Sequence, residues 1–330
     1  MNNPSTLQLH TQALGELQDE LNRALVGQRG VVQQTLIALA ASGHVLIEGV
    51  PGLGKTLLAR ALAKSLDMSF ARIQFTPDLM PSDITGHTVL DRNIDSQNGK
   101  VDELRVRRGP VFTHLLVADE INRAPAKTQS ALLEVMQEQQ VTLEGQTIPL
   151  PAPFLVMATQ NPLDTEGTYP LPEAQMDRFL FMLRIEYPSQ EEEVAVVARA
   201  THAQAGDRLP LDDVQPRLSK AAVLALQQAV TQVRLDERVL DYAVRLTRAT
   251  RAWNGLAVGA GSRGAIALTR AGRAAALMAG RDFVTPDDIK QYALPALRHR
   301  VRLSPDAQLE GRTVDELINE VLNSVQAPRV

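Results

Sequence analysis

The octet Gly49-Val50-Pro51-Gly52-Leu53-Gly54-Lys55-Thr56 sets three glycines, a lysine and a hydroxyl at the spacing G-x-x-x-x-G-K-T. Glycines there let the backbone curl until successive N–H groups converge on phosphate oxygens, and a helix opening near Lys55 adds its positive end. Lys55 then reaches the β- and γ-phosphates of a nucleotide, and the Thr56 hydroxyl can bind Mg²⁺. Leu57 continues the same stretch into the helix. About 64 residues after Lys55, the apolar run Leu115-Leu-Val-Ala ends in Asp119 and Glu120. An Asp-Glu pair alone is commonplace at surface turns. Behind an apolar strand and downstream of a phosphate loop, Asp119 is suited to hold Mg²⁺ through water, and Glu120 to orient or deprotonate the attacking water. The chemistry such residues could carry is Mg²⁺-dependent hydrolysis of a nucleoside triphosphate.

Two further polar groups have open readings. Phe154-Leu-Val-Met-Ala-Thr-Gln-Asn161 is another apolar run with a polar end. Asn161 can hydrogen-bond a γ-phosphate or the catalytic water, or serve turn chemistry with Pro162. In Leu171-Pro-Glu-Ala-Gln-Met-Asp177-Arg178-Phe179, Arg178 is either a surface cation paired with Asp177 or an arginine finger that stabilises charge on the transferring phosphoryl group. Spacing alone leaves both open.

Elements must place these groups at one edge. Leu14, Leu17, Leu21 and Leu25 recur at helical spacing, and a second helix is expected over Val31 to Ala41. Strands are expected at 44–48, 68–75, 115–119 and 154–158, with a helix from Thr56 to Leu66 after the phosphate loop. Strands alternating with helices predict an α/β fold: a mostly parallel sheet with helices on both faces. Its ligand edge lies at the strands' C-terminal ends, and the Asp119 strand is expected beside the phosphate-loop strand. Residues 76–110 and 141–153 interrupt this core as hairpin-like insertions, with turn candidates Asn98-Gly99 and Glu144-Gly145. After Tyr187-Pro188 the chain turns rich in Ala, Leu, Arg and Glu with helical periodicity and no convincing strand. The expected division is a nucleotide-binding core over 1–187 and a smaller all-α lid over 188–330.

The 330 residues are 44 % apolar and 22 % charged, enough for a full core in two domains. There is no cysteine, which excludes thiol redox chemistry and Cys-based metal sites and fits a reducing compartment. No run reaches the roughly 18 apolar residues of a membrane span. The first ten residues lack the design of a secretion signal, so the expected location is cytoplasmic. The net charge of −4 disfavours a dedicated nucleic-acid binder. The run Arg105, Arg107, Arg108 reads as a solvated or subunit-facing strand edge, with a basic patch as the alternative.

Taken together, the phosphate loop, Asp119-Glu120-Ile-Asn-Arg-Ala, Ala158-Thr-Gln-Asn161-Pro and Leu171-Pro-Glu-Ala-Gln-Met-Asp-Arg178-Phe resemble the MoxR-type AAA+ ATPases. So do Phe75-Thr-Pro-Asp-Leu-Met-Pro-Ser-Asp-Ile-Thr-Gly86, Gly109-Pro-Val-Phe112 and Phe283-Val-Thr-Pro-Asp-Asp-Ile289, so that the likeness covers roughly residues 10 to 305. This is the helix-2-insert branch, related to magnesium chelatase ATPase subunits. The resemblance implies that Asn161 is sensor 1 and that Arg178 is a finger acting on a neighbouring subunit's ATP. It implies that Val26-Gly27-Gln28 borders the adenine and that Arg263 is the second sensor; Arg270 and Arg273 are the nearest bland alternatives, read as solvated or interface arginines. Where the family reads Ser-Pro-Arg this chain has Gly261-Ser262-Arg263, and Ser262 is expected to cap the helix. The resemblance places the two insertions near a central pore. It further implies a ring homo-oligomer, a hexamer, that uses ATP and Mg²⁺ to remodel or mature protein complexes, including metal-cofactor insertion, often with a von Willebrand factor A domain protein. A nucleic-acid motor or loader is the reading from another class, and a nucleotide-dependent assembly switch is a third.

Overall fold

The computed structural model describes residues 6–50, 52–95, 99–161, 167–201 and 211–329. The chain opens with α1 (Thr6–Ala24), α2 (Arg29–Ala40), β1 (Val45–Glu48), α3 (Lys55–Ser65), β2 (Phe70–Gln74) and α4 (Pro81–Thr85). A long hairpin of β3 (Gly86–Asp95) and β4 (Gly99–Arg108) follows, then β5 (Leu115–Asp119) and α5 (Ala126–Glu138). A second hairpin, β6 (Gln140–Leu143) and β7 (Gln146–Pro149), precedes β8 (Leu155–Gln160), α6 (Glu173–Met176) and β9 (Phe181–Arg184). The remainder is α7 (Gln190–Thr201), α8 (Lys220–Gln232), α9 (Glu237–Ala249), β10 (Leu256–Val258), α10 (Ser262–Met278), α11 (Pro286–Gln291), α12 (Ala293–Leu297), β11 (Arg302–Leu303), α13 (Pro305–Leu309) and α14 (Val314–Ser324).

Five parallel strands form the central sheet in the order β2-β5-β8-β1-β9. Alternate side chains feed two apolar layers. Val45, Ile47, Leu115, Val117, Leu155, Met157, Phe181 and Leu183 join the core with α1, α2, α3 and the C-terminal helices. Leu46, Leu116, Ala118, Val156, Ala158 and Met182 join the core under α5. Strands buried on both faces read as unbroken apolar runs, which is why β5 and β8 stood out in the sequence. Leu14, Leu17 and Leu21 of α1 are fully buried. Each such burial is worth about 1.5–3 kcal/mol, whereas propensity differences among ordinary helix residues stay below about 0.7 kcal/mol. The apolar stripe therefore decides where α1 sits.

Several expectations need correction. The Asp119 strand does not lie beside the phosphate-loop strand: β8 runs between them, pairing with both. The sheet edge is as expected; the neighbour is not, because strand order follows from how crossover helices pack. β9, on the far side of β1, adds a fifth strand beyond the four expected. Among its described residues the C-terminal region is helical apart from an antiparallel ladder of β10 with β11 and a single parallel bridge between Arg234 and Phe283. Ser262 does not cap α10. Gly261 is its N-cap and makes no side-chain bond, so Ser262 is the first helical residue. Arg270 is exposed, yet its guanidinium is also tied down: its Nε donates to Ala41 O at 3.1 Å and its Nη2 to Ser42 O at 2.9 Å, closing the carbonyl end of α2.

Both insertions form hairpins, with Glu144-Gly145 as the turn of the second. The turn proposed for the first falls partly on Asn98, outside the described residues. Arg105, Arg107 and Arg108 lie exposed on β4, and the Arg108 guanidinium stands 5.2 Å from the Phe112 ring centroid.

Candidate active site

Register places the chemistry along one edge. Glu48 pairs with Gln160 and Ala118 with Ala158, so Gly49, Asn161 and Glu120 each begin just past the last rung of their strands. The phosphate loop leaves β1 with Gly49 pressed on β9: a Cβ there would meet Ile185 O at 3.0 Å. Gly54 enters α3 at φ 84°, a left-handed conformation that costs a side-chain-bearing residue roughly 1–2 kcal/mol. A Cβ at Gly52 or Gly54 would meet nothing within 4 Å, so the loop borders open space. Lys55 Nζ stays inside the loop, donating to Gly49 O at 2.7 Å. Thr56 sits in the first turn of α3. An open curl of backbone at a helix N-terminus, with an ammonium inside and a hydroxyl beside it, fits a triphosphate and its Mg²⁺. Pro51 lies outside the described residues.

The two carboxylates are tightly held. Asp119 Oδ1 accepts from the Thr159 hydroxyl at 3.0 Å, and Oδ2 pairs with Arg72 Nε at 2.5 Å. The Glu120 N–H donates to the same Thr159 oxygen at 3.0 Å. Glu120 Oε2 accepts from Gln74 Nε2 at 2.7 Å and pairs with Arg123 Nε at 3.1 Å. Glu120 itself has φ 55° and ψ 48°, a strained backbone for a non-glycine residue of the kind found at active sites. Asn161 is buried at the end of β8. One edge thus gathers Lys55, Thr56, Asp119, Glu120 and Asn161. Sequence reasoning missed Arg72, Gln74 and Thr159. Their signal was present: Arg72 and Gln74 are polar residues two apart at the end of the strand that registers Gln74 opposite Asp119.

Val26, Gly27 and Gln28 close one side of this edge. Gln28 Nε2 donates to Glu186 O at 3.1 Å, and a Cβ at Gly27 would meet Pro188 and Glu192.

Arg178 and Arg263 lie elsewhere, and together. They line a cleft of about 380 Å³ with Ser42, His44, Asp177 and Arg300. Residues 42–44 precede β1 and residues 177–180 precede β9, so this cleft is at the N-terminal edge of the sheet. Five residues of strand at roughly 3.3 Å each put it about 16 Å from the chain's own phosphate loop. Asp177 does not take up Arg178; it binds Arg300 Nε at 2.7 Å and faces Arg263 Nη1 at 3.6 Å. The buried Nε of Arg178 has no hydrogen-bond partner among the described residues. His44 is also fixed: the Val156 N–H donates to its Nδ1 at 3.0 Å, and its Nε2 meets Met136 O at 3.2 Å. Burial pushes its pKa down to about 4, against the opposing bond to Met136 and with a smaller push from Arg270.

A parallel sheet in this order, with a phosphate loop after β1 and an acidic pair after β5, defines a P-loop ATPase of the AAA class. The chain matches the family model described as ATPase family associated with various cellular activities over residues 44–181, and that of the AAA lid domain over 248–321. It is 43 % identical to the chaperone MoxR1 of Mycobacterium tuberculosis, over 94 % of this chain and 81 % of that one. It is 45 % identical to the uncharacterised protein YeaC of Bacillus subtilis, over 96 % of this chain and 95 % of that one. A crystal structure of a candidate ATPase from Cytophaga hutchinsonii superposes with a TM-score of 0.86 at 40 % identity, covering 98 % of this chain and 97 % of that one. The chain belongs to the MoxR family of AAA ATPases, and its reaction is ATP hydrolysis.

Proposed function

We propose that this chain works as a closed ring of copies, a hexamer, in which each ATP site is completed by Arg178 and Arg263 of the next copy. The observation that carries this reading is the separation of the site into two halves at opposite sheet edges. Lys55 and the loop amides bind the phosphates from one subunit, while two arginines stand about 16 Å away, where only another molecule's ATP can meet them. A head-to-tail contact of this kind closes into a ring when its rotation allows.

Within a site, Thr56 and Asp119 would hold Mg²⁺, which supplies neutralising charge on the β- and γ-phosphates. Glu120 takes the proton of the attacking water once it leaves Gln74 and Arg123. Asn161 orients that water or the γ-phosphate, and Val26-Gly27-Gln28 borders the adenine. Turnover remodels or matures protein complexes in the cytoplasm, with metal-cofactor insertion and a von Willebrand factor A domain protein among the expected clients and partners. The relative named as a chaperone and the acidic net charge both support protein clients.

A mixing experiment tests the ring. Arg178→Ala and Glu120→Gln variants are each expected to bind ATP yet hydrolyse it at least about 10²-fold more slowly. In a random equal mixture about a quarter of the junctions join an intact Glu120 to an intact Arg178, so about a quarter of the normal rate should return. A monomer by mass photometry, with no recovery on mixing, would refute the reading.

A further inference from the structure

Helix α7 has twelve residues, and none of its described side chains is buried. A helix of this length is marginal in water when nothing packs on it, and its valines restrict χ1 further. Its start is secured, since the Ser189 N–H donates to Glu192 Oε2 at 3.0 Å and the Glu192 N–H to Ser189 Oγ at 3.3 Å. A cap does not cover a face, however. Val194 and Val197 are 64 % and 56 % exposed. With Glu191 they fall three apart and share one side of the helix. The first turn carries three carboxylates, Glu191, Glu192 and Glu193.

Helix α10 bears the complementary stripe. Arg263, Ile266 and Arg270 are spaced three and four apart, so they also share a face, and Ile266 is 53 % exposed. All three line the cleft that holds Arg178, which has four arginines in its wall against one carboxylate, Asp177. The two stripes are remote within one chain. α7 begins beside Gly27, where a Cβ would stand 3.0 Å from Glu192 Oε2, on the phosphate-loop side; the cleft opens at the opposite edge.

We infer that α7 is a docking helix whose occupant is a second copy of this chain, its Val194–Val197 face seated on Ile266 of the next copy. This rests on the reading that Arg178 and Arg263 act in trans. If they reach a neighbour's phosphates, the helix that starts beside that neighbour's residues 26–28 is carried to the same junction. The acidic first turn then faces the arginine-lined cleft, and the valines cover the exposed isoleucine. The contact leaves water only on assembly, so the ring stabilises α7 as α7 stabilises the ring.

The absence of cysteine makes the test clean. A Val194→Cys protein and an Ile266→Cys protein are mixed with Mg²⁺ and a non-hydrolysable ATP analogue, then treated with a short bis-maleimide. A covalent pair of chains is expected from the mixture and from neither protein alone. Leu309→Cys, at a site 89 % exposed on α13, should give none when it replaces Ile266→Cys. Val194→Asp with Val197→Asp should raise the protein concentration needed for half assembly about tenfold or more. Assembly by mass photometry without the 194–266 cross-link, or with an equal yield from the Leu309→Cys control, overturns the docking and leaves the ring standing. Failure of the unaltered chain to assemble at all overturns the ring reading, and the docking with it.

Discussion

Thr159 stands between the two carboxylates. Its hydroxyl donates to Asp119 and accepts from the Glu120 amide. One oxygen thereby aims the group suited to Mg²⁺ and pins the strained backbone that presents the group suited to take a proton. A Thr159→Val substitution keeps the shape and removes both bonds. It leaves a buried carboxylate oxygen and an amide short of partners, at about 1–3 kcal/mol each. The expected outcome is kcat lowered about tenfold, ATP affinity within about threefold, and an unchanged fold by circular dichroism. Equilibrium binding beside a phosphate-release assay checks it, and unimpaired turnover would remove Thr159 from the site. Gln74 and Arg123 do the opposite work, holding the Glu120 carboxylate by hydrogen bond and charge. In the proposed reaction the attacking water has to take the place of those contacts on the Glu120 carboxylate.

At the scale of elements, polar ties join the C-terminal helices to the catalytic edge. Glu48 ends β1 just before the phosphate loop, accepts from Gln160 Nε2 at 2.6 Å and pairs with Arg184 at 3.4 Å. Arg184 in turn reaches Asp315 of α14 at 3.0 Å, a carboxylate that Arg298 also holds at 3.0 Å. A second tie runs through α1. The buried Glu20 accepts from Arg217 Nε and Arg23 at 2.7 Å and from the Gln215 amide at 3.1 Å. The adjoining Arg217 and Leu218 amides close on Ser65 O at the end of α3. The segment entering α8 is therefore fastened to the helix that starts at the phosphate loop. Glu20→Gln keeps the size and removes the charge, and the expected loss is about 2 kcal/mol, given a partly solvated Arg217. A fall in urea midpoint with an unchanged slope is the readout; a shift under about 0.5 kcal/mol would show that the packing of α1 suffices.

For the whole molecule, one apolar cluster runs from Leu14 through β1 to Tyr242, Leu268 and Leu322. Shared burial on that scale couples the two halves, and unfolding should be one transition by calorimetry, with equal van't Hoff and calorimetric enthalpies. Its pH dependence follows from the buried histidines. His44 is held to about 4 against an ordinary 6.5, and burial likewise holds His299 well below its usual range. Both are neutral bases in the fold, so the unfolded chain binds the extra proton. Stability is fully present above about pH 6.5 and declines as pH falls toward 4, by about 3 kcal/mol from His44 alone. His44→Gln should flatten that decline between pH 6.5 and 4.5 in urea titrations. An equal slope in both proteins would assign the acid sensitivity elsewhere.

What the sequence determined by itself was local. The phosphate loop, the buried strands with their polar ends, and the Glu144-Gly145 turn are legible because each needs particular residue types within about ten positions. The helical character of the C-terminal region is legible for the same reason, since periodicity repeats within single elements. Only the tertiary structure decided that β8 separates β5 from β1, that Gln74 and Arg72 reach the acidic pair, and that Arg178 and Arg263 share a cleft across the sheet from Lys55. Strand order and the docking of α10 on α1 and α2 are outcomes of non-local packing, where the burial of whole faces outweighs any preference carried by a short stretch of chain. Arg178 and Arg263 stand 85 positions apart in the sequence. What brings them together is the seating of α10 and of the segment around Arg300 against the start of β9.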